Sequence, residues 1–195
     1  DRRATGWDFT RLYAAVRLEP PAEMPATPAE LIHALMFDTS RRNSVMACVN
    51  FARDNARHVR ERINSEMWEQ LNGLYLRLRE ARADGGRSVR PHYVSRMVVE
   101  GVYLFGGVTD ETMGHGEGWQ FQQLGRFLER AGATAALVDQ YFYGGPLLPP
   151  GHAEWVGLLR SCTALEAYVR CYTADLRPER IAEFPQHCGV TGRRG

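Results

Sequence analysis

The side chains with the most chemical reach gather at one point of the chain, where Asp110, Glu111, His115 and Glu117 lie close together with Gly114 and Gly116 between them. Carboxylates beside an imidazole are the materials of general acid–base catalysis or of a metal site. The spacing restrains both readings. His115-Gly116-Glu117 offers two ligands where a metal asks for more, and acids such as Asp110 and Glu111 also suit a helix N-terminus, where the macrodipole favours negative charge.

Elsewhere the motifs are thin. Glu30-Leu31-Ile32-His33 is an ExxH, but a di-iron bundle needs two such motifs plus two more carboxylates, and no second one occurs. Thr27-Pro28-Ala29-Glu30 reads better as a helix start, with Thr27 as cap, Pro28 in the first turn and Glu30 closing a capping box. No glycine-rich phosphate loop, nucleophile elbow or Cys/His pairing is present, and Ser44, Ser65 and Ser161 read as helix or cap serines. We expect no metal and no cofactor.

The elements that must position these groups are helical throughout. In Asp110–Tyr143 the residues Phe121, Leu124, Leu128, Ala131, Ala135, Val138 and Phe142 recur at spacings of three and four, the pattern of a packed seam. Apolar bulk at Trp119, Leu137 and Tyr141 on another face makes this the expected central helix of a bundle. Gly118, Gly125 and Gly132, seven apart, suit either close approach of a neighbouring backbone or chance. Before it, helices are expected from Pro28 to about Phe37, from a cap at Asn43 with a break at Asn64-Ser65, and from Pro91 to the Gly106-Gly107 pair. After it, one helix is expected over 153–172 and a short one from Pro178. Strict alternation of apolar and polar residues is absent, so the expected fold is all-α, a helical bundle of about five to seven helices with no sheet. Residues 1–26 read as a linker or short helix, 27–184 as the domain and 185–195 as a disordered tail.

Charge pairing decides what the polar groups do in such a bundle. Glu117 lies on the line of Phe121 and Leu124, and Glu166 on the flank of the Trp155, Leu159, Cys162 face; a carboxylate so placed needs partners. Arg53, Arg57, Arg60, Arg126, Arg130 and Arg160 could supply them. Two readings stay open: structural ion pairs that fix helix register, or a pocket for a charged ligand or a catalytic acid. The candidate pocket set is Arg57, Glu66, Asp110, His115, Glu117, Arg126, Arg130 and Glu166.

Composition bounds the function classes. The chain has 195 residues, 44% hydrophobic and 24% charged, with a formal net charge of +1, so no global field invites nucleic acid or an anionic membrane. Every basic residue is Arg and none is Lys, which we read as codon bias rather than a binding surface. Cys48, Cys162, Cys171 and Cys188 show no metal spacing. Cys162 and Cys171 are nine apart, on opposite faces of one helix at about 100° per residue, so reduced thiols and a cytoplasmic location are expected. No run is long enough to span a membrane. The chain begins at Asp1, which leaves a lost leader or an upstream domain open.

Several words of sequence carry a family resemblance: Ala52-Arg53-Asp54-Asn55-Ala56-Arg57-His58-Val59-Arg60, Ser65-Glu66-Met67-Trp68-Glu69-Gln70-Leu71-Asn72, Thr109-Asp110-Glu111-Thr112-Met113, Glu117-Gly118-Trp119 and Leu124-Gly125-Arg126-Phe127-Leu128-Glu129-Arg130-Ala131. Trp155 to Ser161, Glu166-Ala167-Tyr168 and Arg177-Pro178-Glu179-Arg180 continue it. From Leu31 to Phe184 the chain resembles the bacterial alpha-E domain, an all-helical domain of unknown function. The resemblance implies a setting beside circularly permuted ATP-grasp proteins and transglutaminase-like proteins, in peptide or amide-bond metabolism, and it transfers no catalytic residue. It also implies a second GRxxERA word in an N-terminal half. This chain has one, at 125–131, with Gly116 and Gly132 where acids are expected, so it reads as a fragment. The expected function is an accessory partner of an ATP-grasp ligase rather than an enzyme. The alternatives are a carboxylate/arginine pocket for an amino acid or peptide, and self-association through exposed seams.

Overall fold

The computed structural model describes residues 9–17, 19–83, 91–142, 151–172 and 175–188. Among them are nine α-helices and no strand: α1 (Thr10–Ala15), α2 (Pro28–Phe37), α3 (Val45–His58), α4 (Ser65–Ala83), α5 (Pro91–Thr112), α6 (Glu117–Phe142), α7 (His152–Ser161), α8 (Leu165–Tyr172) and α9 (Pro178–Cys188), with a 3-10 turn at Arg60–Arg62. The fold is all-α, with more helices than the five to seven expected. None of these helices is long and apolar enough to cross a membrane. The chain divides into two compact units, Leu18–Phe127 and Asp1–Arg17 with Leu128–Gly195, so α6 contributes its first residues to one and the rest to the other. Residues 84–90, between α4 and α5, and 143–150, between α6 and α7, lie outside the described residues.

In the first unit, α4 packs against both α3 and α5, and α2 against α3 and α5. Side-chain chemistry fixes where these helices start. The Thr27 hydroxyl accepts from the Glu30 amide at 3.2 Å, the cap expected of Thr27; the Glu30 carboxylate accepts from the Ala26 amide at 2.8 Å, one residue before the Thr27 amide that a capping box would engage. Ser44, not Asn43, caps α3: its buried hydroxyl accepts from the Ala47 amide. The break at Asn64-Ser65 is present. α3 ends at His58, the 3-10 turn follows, and Asn64 Oδ1 accepts from the Met67 amide at 2.8 Å to start α4. Asn64 also donates to the Thr112 hydroxyl, tying the start of α4 to the end of α5.

Phe37, Met46, Val49, Leu74, Leu78, Ala81 and Val94 form the core of this unit. Burying a side chain such as Leu78 contributes about 2 kcal/mol. Gly101 is what lets α5 lie so close to α4, since a Cβ there would sit 2.8 Å from Leu74 Cδ1. Contrary to expectation, α5 does not end at Gly106-Gly107. Neither glycine adopts the left-handed conformation of a helix stop, and the helix runs on through buried Thr109, whose hydroxyl donates to the Phe105 carbonyl.

The second unit has an aromatic core. Trp155, Leu158, Leu159, Tyr168, Ile181 and Phe184 are buried, with Leu137, Tyr141 and Phe142 of α6 packed against them. The single helix expected over 153–172 is two. The Ala164 amide donates to the Leu159 carbonyl and closes α7, while Thr163 takes the left-handed φ of 55° that glycine usually fills. No glycine or proline marks this stop, so sequence gave no warning of it. α9 continues to Cys188, into the stretch whose composition reads as a tail; 189–195 lie outside the described residues.

The first half of α6 departs most from expectation. Its apolar positions should be a covered seam, yet Phe121 is 72%, Leu124 53% and Leu128 63% exposed, Phe127 beside that seam is exposed as well, and no α6 residue is fully buried. Gly118 would meet the Met113 methyl, Gly132 the Arg17 guanidinium, and Gly125 nothing. No backbone approaches any of the three closely.

Candidate functional site

The α5–α6 corner holds the groups that stood out in sequence. α5 ends at Thr112, residues 113–116 connect, and Glu117 starts α6. Asp110, on the last turn of α5, accepts through Oδ1 from Trp119 Nε1 at 3.2 Å and from Gln123 Nε2 at 3.1 Å. The His115 ring stacks on Trp119 at 4.3 Å, with its Nε2 3.3 Å from the Asp110 carbonyl. One carboxylate thus ties two α6 side chains to the end of α5. The donors it meets are neutral and the cluster is exposed, so the corner has the chemistry of a brace.

Among the described residues, none of the other candidates shares a hydrogen bond or ion pair with that cluster. Glu66, Glu117 and Glu166 each stand exposed in the first turn of a helix, α4, α6 and α8, where the N-terminal partial charge accounts for them. Arg57 is exposed in the last turn of α3, the complementary position. Arg126 lies with its guanidinium 5.7 Å from the Phe127 ring. Arg130 donates to Thr163 Oγ1 at 2.8 Å, holding the left-handed turn between α7 and α8. Among the described residues none of the eight forms an ion pair with another, and no group of three or more His, Cys, Asp or Glu could hold a metal. Arg53, expected to meet a carboxylate, instead donates to Asn72 Oδ1 at 2.8 Å and lies over the Tyr75 ring at 4.5 Å.

What sequence reasoning missed is a groove in the first unit. It has a volume of about 620 Å³, and apolar side chains of α3, α4 and α5 form its walls, among them Ala52, Met67, Leu71 and Phe105, with Met113 and Gln122 completing it. None of the eight candidates lines it. The available signal was Gln122, a polar residue one position from Phe121 on a helix otherwise read for its apolar stripe. Its amide oxygen is buried and has no hydrogen-bond partner among the described residues.

The family whose model matches the chain, Alpha-E, is described as a predicted alpha-helical domain with a conserved ER motif, and the match covers residues 5–184. It therefore begins well before Leu31 and takes in α1, where Phe9 and Tyr13 are buried. No curated protein and no solved structure matches the chain. Glu-Arg pairs occur at Glu61-Arg62, Glu129-Arg130 and Glu179-Arg180; the second belongs to the GRxxERA word and contains the arginine that holds Thr163. With the match extending over nearly all of its length, the chain belongs to the Alpha-E family.

Proposed function

We propose that this chain is a non-catalytic helical partner that docks, through the first half of α6, onto an ATP-grasp-type ligase of peptide or amide-bond metabolism. The observation that carries this reading is the exposure of Phe121, Leu124 and Phe127 on one helix. Large apolar side chains grouped on a surface mark interaction sites, and aromatic anchors supply most of the energy where such sites are used. Seven of the eight candidate acids and bases support a non-catalytic role, because each has a structural use at a helix end, a turn or the α5–α6 corner; the eighth, Arg126, lies by the Phe127 ring. The ligase is named from the company that alpha-E proteins keep; a transglutaminase-like protein is the second partner class.

Co-expression of the chain with the ATP-grasp-type ligase encoded nearest its gene tests this. The expected result is a complex that survives size-exclusion chromatography, with no nucleotide turnover by the chain alone. Absence of any complex, or ATP hydrolysis by the isolated chain, contradicts the reading. A homo-oligomer in place of the complex would assign the α6 face to self-association.

A further inference from the structure

We infer that the groove between α3, α4 and α5 is a binding site for a small neutral amphiphile, one with an aliphatic or aromatic body and a single N–H or O–H donor. Its volume of about 620 Å³ lies within the range of small-molecule sites, roughly 300–1,000 Å³. Its walls favour an apolar body: Ala52, Met67, Leu71, Val102 and Phe105 contribute hydrocarbon, sulfur and ring surface. Its interior offers no charge to match an ionic one. Arg62 also lines the groove, but its side chain is 80% exposed and its Nε lies 4.0 Å from Glu61, so its charge belongs to the mouth and to solvent.

Gln122 supplies the polar requirement. Its Oε1 is buried and, among the described residues, unpartnered, a condition that costs free energy until a donor is found. The terminal torsion of a glutamine is broad and soft, so a modest rotation turns the oxygen toward a donor in the groove. The ligand satisfies an acceptor that the protein leaves unsatisfied, and its apolar body replaces water against an apolar wall. This site is separate from the docking face. Gly118 and Gln122 look into the groove, whereas Phe121, Leu124 and Phe127 are exposed, so loss of one function leaves the other intact.

A matched pair of probes tests the inference on the full chain. N-hexylbenzamide and hexyl benzoate share one body and differ by an N–H, and methionine methyl NMR reports where they bind. Met67 and Met113 line the groove, while Met36 and Met97 pack against the neighbouring core. The expected result is saturable shifts of the Met67 and Met113 methyls, weaker or absent shifts at Met36 and Met97, and about tenfold tighter binding of the amide than of the ester, the worth of one neutral hydrogen bond. Gln122→Leu should equalise the two probes. Ala52→Phe, a substitution at an exposed helix position on the groove wall, should weaken both and serves if the first variant does not fold. No shift at Met67 and Met113 with either probe, equal affinities in the unaltered chain, or equal shifts at all four methyls would overturn the inference.

Discussion

The two ends of α6 both carry large apolar side chains and meet opposite fates. Toward the C-terminus, Leu137, Tyr141 and Phe142 pack onto Trp155 and its neighbours, with Tyr141 and Phe142 ring centroids 5.9 and 5.2 Å from that of Trp155. Toward the N-terminus, Phe121, Leu124 and Phe127 are exposed. Periodicity defines a face; it does not say what covers the face. The uncovered end is the face on which the proposed partner would dock, and the covered end contributes to a closed core.

Truncation separates the two most strongly. Leu78→Ala in the first core should cost about 2–5 kcal/mol and Trp155→Ala about 3–5 kcal/mol, because each leaves a cavity in a closed core. Phe121→Ala should stay within about 0.5 kcal/mol, as surface changes do. Urea unfolding of the three variants checks this, and a large loss at Phe121 would break the contrast. Gly101→Ala follows in size: its methyl would press on buried Leu74, and overpacking of this kind costs about 1–3 kcal/mol. Gly125→Ala, which meets no neighbour, should instead be neutral or stabilising on helix propensity.

Tyr168 sharpens the picture of the covered end. It is fully buried between Tyr172 and Phe184, and its hydroxyl donates to the Asp175 carbonyl at 2.7 Å. Burial, reinforced by the Asp175 carboxylate and opposed by Arg180, pushes its phenol above the ordinary value. The folded state therefore holds the proton more tightly than the unfolded state. This contribution is intact below the unfolded pKa of about 10 and is lost as pH rises toward the folded one. Tyr168→Phe should cost about 1 kcal/mol at neutral pH and remove that part of the alkaline loss, read by thermal unfolding across pH 8 to about 11.

The smallest effect is chemical. Burial raises the Cys162 thiol against the pull of Arg130, whereas Cys48 and Cys171 are exposed. Because the thiolate is the reactive form, iodoacetamide should label Cys162 more slowly than Cys48 and Cys171 in peptide-resolved mass spectrometry. Equal rates would show that the α7 end is open.

Helix starts with a local signature were legible in the sequence: Thr27 and Asn64 act through hydrogen bonds to amides three residues on, and Pro28 and Pro178 through a φ already fixed for the first helical position. The stops were less so. Gly106 and Gly107 stay helical because α5 continues through Thr109, and the Thr163 turn depends on Arg130, 33 residues away. The candidate site was legible only as a corner. Asp110 and His115 do meet, but at the Asp110 carbonyl and around the Trp119 ring rather than carboxylate to imidazole, and the acids on other helices have local reasons to be where they are. The groove was invisible because its walls come from four helices whose apolar residues look, one at a time, like ordinary core.

The most direct test of the uncovered α6 face is the affinity of the chain for the ATP-grasp-type ligase, measured for the unaltered chain and for Phe121→Asp/Leu124→Asp, with the melting temperature of each. The account predicts binding weakened by more than about 100-fold, as expected when two anchors are lost, with the melting temperature shifted by no more than a few degrees. Unchanged affinity, or collapse of the melting temperature, would contradict it.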